Sequence, residues 1–179
     1  MKELQYPIGE FRMPAAVDAG TIESWITDLQ AFPGQLKKLI MPLDAYALQK
    51  TYRSGGWTIT QIIHHCADSH MNAFVRCKLA LTEDRPIIKD YHESGWAEQA
   101  DAKLPATDIS LQLLTALHQR WVVLFENLNE AQFKRSYFHP GQQREFSLLE
   151  VLGLYSWHSQ HHFAHIRLAI DQPFDVEIK

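Results

Sequence analysis

Between Thr58 and about Leu81 the chain carries Ile59, Ile62, Ile63, Cys66, Ala67, Ala73, Phe74 and Cys77 at helical spacing, with His70 in their midst. A repeat of three and four residues puts these side chains on one face of an α-helix, and that face must be buried against other elements. Thr58-Ile59-Thr60-Gln61 opens the helix with a capping box. A threonine hydroxyl there accepts from the backbone N–H three residues on, and the glutamine side chain reaches back to the threonine N–H. Glu83-Asp84-Arg85-Pro86 ends it, because proline cannot donate and disfavours a helical residue before it.

Three further segments need the same burial. Ile22, Trp25, Ile26, Leu29, Leu36 and Ile40 mark a first helix from near Thr21, which Pro33 is expected to kink or break. Leu111, Leu114, His118, Trp121, Phe125 and Leu128 lie on one face of a third helix, from Thr107 or Asp108 to about Leu128. Ser147-Leu148-Leu149-Glu150 is a second capping box and opens a fourth helix that ends before Pro173. Residues 1–17, with Pro7 and Pro14, read as an extended arm over the domain. No alternating strand pattern, repeat or linker interrupts this layout. The expected fold is therefore all-α: one four-helix bundle over residues 1–179, with a long crossover of roughly twenty residues between the second and third helices.

Composition excludes several classes of function. A chain of 179 residues, 46% hydrophobic and 21% charged, is long enough to bury a full core without staples. A formal charge of −4 gives no basic surface for nucleic acid or anionic lipid. No apolar run is long enough for a membrane span, and the first residues lack the apolar core of a secretory signal, so a cytoplasmic protein is expected. Cys66 and Cys77 share a helix about 16 Å apart along its axis, too far to bridge, and are expected to be reduced and buried.

Chemistry concentrates in Trp157-His158-Ser159-Gln160-His161-His162-Phe163-Ala164-His165, which holds four of the ten histidines. Neutral imidazole is a ligand for zinc, nickel, copper and iron. Two i, i+4 pairs are present, His158 with His162 and His161 with His165, and each pair puts two rings on one helix face. At 100° per residue His162 lies roughly 40° and His158 roughly 80° from the centre of the apolar arc, against about 100° for His165 and 140° for His161. The inward pair is His158 with His162; His161 and His165 are expected to meet solvent or support the ligands. A third ligand must come from elsewhere. On the second helix periodicity favours His70 as the inward residue and puts His65 on a polar edge with Asp68, Ser69, Asn72 and Arg76.

The motif Gly55-Gly56-Trp57-Thr58-Ile59-x-Gln61-x-x-His64-His65-x-Ala67-Asp68-Ser69-His70 resembles the DinB/YfiT-like metalloenzymes. So do Tyr6-Pro7-Ile8-Gly9-Glu10 and Tyr155-x-Trp157-His158-Ser159-x-His161-His162-x-Ala164-His165, and the resemblance extends to Phe133-Lys134-Arg135 and Phe138-His139-Pro140. It implies a four-helix bundle binding one divalent metal per chain, zinc or nickel, through three histidines. The family's ligand on the second helix maps onto His65, with Cys66 where the family often has leucine. Its C-terminal pair maps onto His158 and His162.

Three neutral imidazoles leave a coordination position open, as in catalytic zinc sites, and such an ion can activate water or polarise a carbonyl of a small-molecule substrate. Metal-dependent hydrolysis is the economical expectation. Asp68, one turn from His65, is the candidate base or orienting carboxylate, with a surface carboxylate as its alternative. Arg76, on the same edge, is the candidate clamp for an anionic group, with an exposed helix arginine as its alternative. Related bundles with the same three-histidine site imply a second reading, a thiol S-transferase that activates a low-molecular-weight thiol of the bacillithiol type. A third is a non-catalytic metal-holding bundle that forms a homodimer through an exposed helix face.

Overall fold

The computed structural model describes residues 2–171. In chain order the elements are α1 (Lys2–Gln5), α2 (Ala19–Ile40), α3 (Ile59–Thr82), α4 (Glu93–Ala97), α5 (Asp108–Glu126), α6 (Glu130–Phe133), β1 (Ser136–His139), β2 (Arg144–Ser147) and α7 (Leu148–Asp171). The long helices α2, α3, α5 and α7 form a four-helix bundle. Each of α2 and α3 packs against both α5 and α7, so α2 and α3 stand diagonally and the cyclic order is α2–α5–α3–α7. The connection over residues 83–107 carries α3 to its neighbour α5 and contains α4 and a single 3-10 turn at Asp101–Lys103. Pro173, expected to stop the last helix, lies outside the described residues.

The helix starts follow their capping chemistry. Thr58 accepts from the Gln61 N–H at 3.1 Å, and the Gln61 side chain accepts from the Thr58 N–H at 3.0 Å, so the box at α3 is complete. Ser147 makes only half of its box: its hydroxyl accepts from the Glu150 N–H at 3.2 Å, while the Glu150 carboxylate pairs with Arg144 at 2.8 Å. Asp18 caps α2 through the Thr21 N–H at 2.7 Å, which starts that helix two residues before Thr21.

Three sequence expectations are corrected. Pro33 does not break the first helix: α2 runs unbroken from Ala19 to Ile40. Proline lacks the N–H that would donate to the carbonyl four residues back, and the Leu29 carbonyl instead accepts from His118 Nδ1 at 2.5 Å. The N-terminal arm is not extended throughout, since Lys2–Gln5 form one helical turn ahead of Pro7. A two-stranded hairpin is also present, pairing Ser136–His139 with Arg144–Ser147. Each of its strands buries one side chain, Tyr137 and Phe146, which sit opposite each other with stacked rings 5.8 Å apart. One buried residue per strand leaves no alternation for periodicity to detect. The hairpin also holds the crossover, because Phe138 donates to Pro86 O and Ile88 donates to Phe138 O.

The core is divided. One apolar cluster includes Phe74, Cys77, Trp121, Phe125, Leu148 and Leu152, and the other includes Phe32, Leu36, Ile59, Ile63, Leu114 and Ile166. His70 lies between the residues of α3 that serve the two clusters, and the α7 histidines lie between Tyr155 and Ile166. Both cysteines are free and buried. Burial pushes the Cys77 thiol up to about 12 and the Cys66 thiol higher still, so neither is a thiolate at neutral pH. No helix among the described residues is long and apolar enough to cross a membrane.

Candidate metal centre

α3 and α7 are neighbours, and their histidines meet in the layer between the two apolar clusters. One ring nitrogen each from His65, His158 and His162 lie within 4.8 Å of one another. The ring centroids are 5.5 Å apart for His65 and His158, 4.9 Å for His65 and His162, and 4.4 Å for His158 and His162. Two nitrogens bound to one zinc at ~2.1 Å each stand at most about 4.2 Å apart. That maximum belongs to ligands on opposite sides of an ion; around a tetrahedral ion the separation is about 3.4 Å, so the nitrogens would close by up to about 1.4 Å to share one. They are also in the ligating protonation state. Burial lowers the His65 imidazole to about 4, and burial and then the neighbouring histidines hold His158 and His162 well below the usual range. The donor set is all neutral nitrogen, which suits zinc, nickel or another borderline divalent ion.

A second group, His161, His162 and His165, also has ligand atoms within 4.8 Å. It shares His162, and a neutral imidazole has a single in-plane lone pair, so the two groups cannot both be filled.

Residues 28–166 match the pattern of the DinB superfamily. The chain belongs to that superfamily. Within it the chain is 47% identical over 167 residues to a Bacillus licheniformis protein named "putative metal-dependent hydrolase", covering 93% of this chain and 95% of that one. A relative of the same name from Bacillus mycoides is 45% identical over 166 residues, again covering 93% and 95%. YfiT from Bacillus subtilis, a four-helix bundle of unusual topology, superposes with a TM-score of 0.89 at 43% identity, over 92% of this chain and 94% of its own. A mycothiol-dependent maleylpyruvate isomerase superposes at a TM-score of 0.64 and 17% identity, over 81% of this chain and 60% of its own, and shares the fold.

The DinB-type bundle places the remaining sequence candidates as follows. His65 is buried rather than on a solvated edge, with the Trp57 ring 4.6 Å away. Of its polar stripe, His65 faces His158 and His162, Ser69 reaches the Tyr155 hydroxyl, and Arg76 bonds the Lys89 carbonyl. His70 is fully buried and hydrogen-bonds two rings, His118 Nε2 at 2.7 Å and His158 Nδ1 at 3.0 Å. His161 and His165 are buried too, against the expectation of solvent contact. The N-terminal arm and the loop before α3 cover them: Tyr6 packs on His161, Tyr52 stacks on His165 at 4.0 Å, and His165 Nε2 lies 3.2 Å from the Gln5 carbonyl. His64 faces away and ties α3 to the start of α5, through Ser110 Oγ at 2.7 Å and the Leu104 carbonyl at 2.8 Å.

Asp68 is half-buried and lines a cavity of about 340 Å³ with Met71, Trp96, Gln99 and Asp101. Burial, and then the Asp101 carboxylate, push its carboxyl up to about 6. Arg76 is buried, donates Nη2 to the Lys89 carbonyl at 3.1 Å, and holds Nε buried without a protein partner. The sequence reading missed His118 as a site-related residue. Its signal was a histidine in the middle of an apolar stripe.

Proposed function

We propose that this protein is a metal-dependent hydrolase whose His65, His158 and His162 hold one divalent ion, zinc or nickel. The observation that carries the reading is a set of three neutral imidazoles, His65 and His162 buried and His158 half-buried, with converging nitrogens and no carboxylate among them. His65, His158 and His162 would hold the ion without neutralising its charge, and it would supply Lewis acidity toward water or a carbonyl. The names of the relatives agree with this reading.

The chain's own residues supply the rest. Asp68 lies three residues from His65 on the same side of α3, and with its carboxyl near 6 it can take and return a proton around neutral pH. Arg76 lies eleven residues from His65, close to three full turns, on the same face of the helix. Its Nε is buried and its charge faces the Glu93 carboxylate, so an anionic substrate group clamped there would replace that carboxylate as its partner.

A second reading, transfer of a small thiol to an electrophile, draws support from the fold shared with a mycothiol-dependent enzyme. The two separate in one comparison. Metal-loaded protein is incubated with ester and amide substrates, and in parallel with small thiols plus monochlorobimane. Hydrolysis that His65→Ala and a chelator both abolish is the expected result. Thiol-dependent turnover without hydrolysis overturns it in favour of the transferase.

A further inference from the structure

A chain of hydrogen bonds crosses the bundle and takes one link from each long helix. It runs from the Leu29 carbonyl on α2 to His118 Nδ1 on α5 at 2.5 Å, from His118 Nε2 to His70 Nδ1 on α3 at 2.7 Å, and from His70 Nε2 to His158 Nδ1 on α7 at 3.0 Å. His118 and His70 are 1% and 0% exposed, so bulk solvent does not compete for these direct bonds. One end of the chain is chemically unambiguous. A carbonyl only accepts, so His118 carries its proton on Nδ1.

The rest follows by elimination along neutral rings. With Nδ1 protonated, His118 Nε2 accepts, so His70 donates from Nδ1 and keeps a bare Nε2. His158 then donates from Nδ1, and its Nε2 lone pair is free. A second, shorter chain reaches the other α7 ligand. The Gln5 carbonyl fixes the proton of His165 on Nε2, so His165 Nδ1 accepts from His162 Nδ1 at 3.4 Å and His162 Nε2 is left free. Both chains start at a backbone carbonyl and end by baring the same nitrogen. The first exists because Pro33 leaves the Leu29 carbonyl without an intrahelical donor.

We propose that His118 and His70 are positioning residues that, with His165, set the tautomers of His158 and His162 so that both present Nε2 to the ion. The proposal rests on the assignment of these two histidines as ligands. Hydrogen bonds to the non-ligating nitrogen of a metal histidine fix its ring orientation and tautomer, and losing them typically lowers metal affinity 10- to 100-fold.

The test reads the tautomers directly, in metal-free protein labelled with ¹⁵N-histidine, by long-range proton–nitrogen correlation. The expected pattern is Nδ1–H for His118, His70, His158 and His162, and Nε2–H for His165. His118→Phe keeps the ring volume but removes donor and acceptor. It is expected to mix the His70 and His158 tautomers and to weaken zinc binding about 10- to 100-fold with the helical circular dichroism unchanged. His118→Gln, with one donor and one acceptor, is expected to recover most of that affinity. A wild-type spectrum with His158 as Nε2–H overturns the proposal without any variant. So does His118→Phe protein with wild-type tautomers and zinc affinity. Wild-type protein that takes up no zinc overturns the ligand assignment on which the proposal rests, whereas the tautomer pattern in metal-free protein judges the relay independently of the reaction catalysed.

Discussion

The Nδ1 atom of His118 stands 2.5 Å from the carbonyl oxygen of Leu29, the carbonyl that Pro33 cannot serve. An interior proline normally breaks a helix or leaves a buried acceptor unpaired. Here a side chain from the adjacent helix supplies the missing donor. α2 stays continuous, and its carbonyl becomes the fixed end of the histidine layer that separates the two apolar clusters.

His65→Ala, His158→Ala and His162→Ala are each expected to reduce bound zinc to background in elemental analysis, with near-wild-type circular dichroism. His64→Ala is the control, because its ring bonds Ser110 and Leu104 instead. It should retain the metal and lose about 1–3 kcal/mol of stability, since Ser110 is left without its buried partner. Full metal retention in any of the three ligand variants would sink the assignment.

Removing the capping hydroxyl at the start of α3 should cost about 1 kcal/mol, so Thr58→Ala is expected to lower the urea midpoint while Thr58→Ser stays near wild type. Zinc stoichiometry should not change, because His65 lies two turns further in.

Metal-free protein should lose stability as pH falls through the histidine range. Burial lowers His118 and His65 to about 4 in the folded state, against 6.5 when unfolded. Below 6.5 the unfolded chain takes up protons that the folded chain refuses, so stability is full above about pH 7 and declines between 6.5 and 4, by about 3 kcal/mol for each ring. Asp68 opposes this between 6 and 3.8, since its folded carboxyl binds a proton that the unfolded one does not. Glu93, raised by burial, acts in the same sense, and the two carboxyls are set against several histidines. Urea unfolding from pH 8 to 4 measures the net slope, and a flat profile would contradict it.

Gly153 on α7 packs against the Trp25 ring of α2. A Cβ there would stand 3.0 Å from the Trp25 ring, with three ring carbons between 3.0 and 3.2 Å. Gly153→Val should therefore destabilise by about 1–3 kcal/mol through overpacking, read as a lower thermal midpoint.

Local chemistry carried most of the architecture. The box Thr58–Gln61 and the stripe from Ile59 to Cys77 specify α3 to within a residue or two, because capping and 3.6-residue periodicity act over one or two turns. The same periodicity turned His158 and His162 inward and His161 and His165 outward on α7, yet His161 and His165 are buried as well. It could not see the hairpin, whose strands bury one residue each, nor the survival of α2 through Pro33. A partner on another helix decides the latter.

The sequence by itself therefore determined four amphipathic helices, their caps and the facing of each histidine relative to its own helix. Only the tertiary structure decided that the edge of α3 bearing His65 is buried, that Gln5, Tyr6 and Tyr52 enclose His161 and His165, and that His118 reaches Leu29. The reason is physical. Periodicity reports how a side chain points from its own axis, whereas burial and hydrogen bonding depend on what the other three helices place opposite, here a polar layer that a hydrophobic pattern reads as surface.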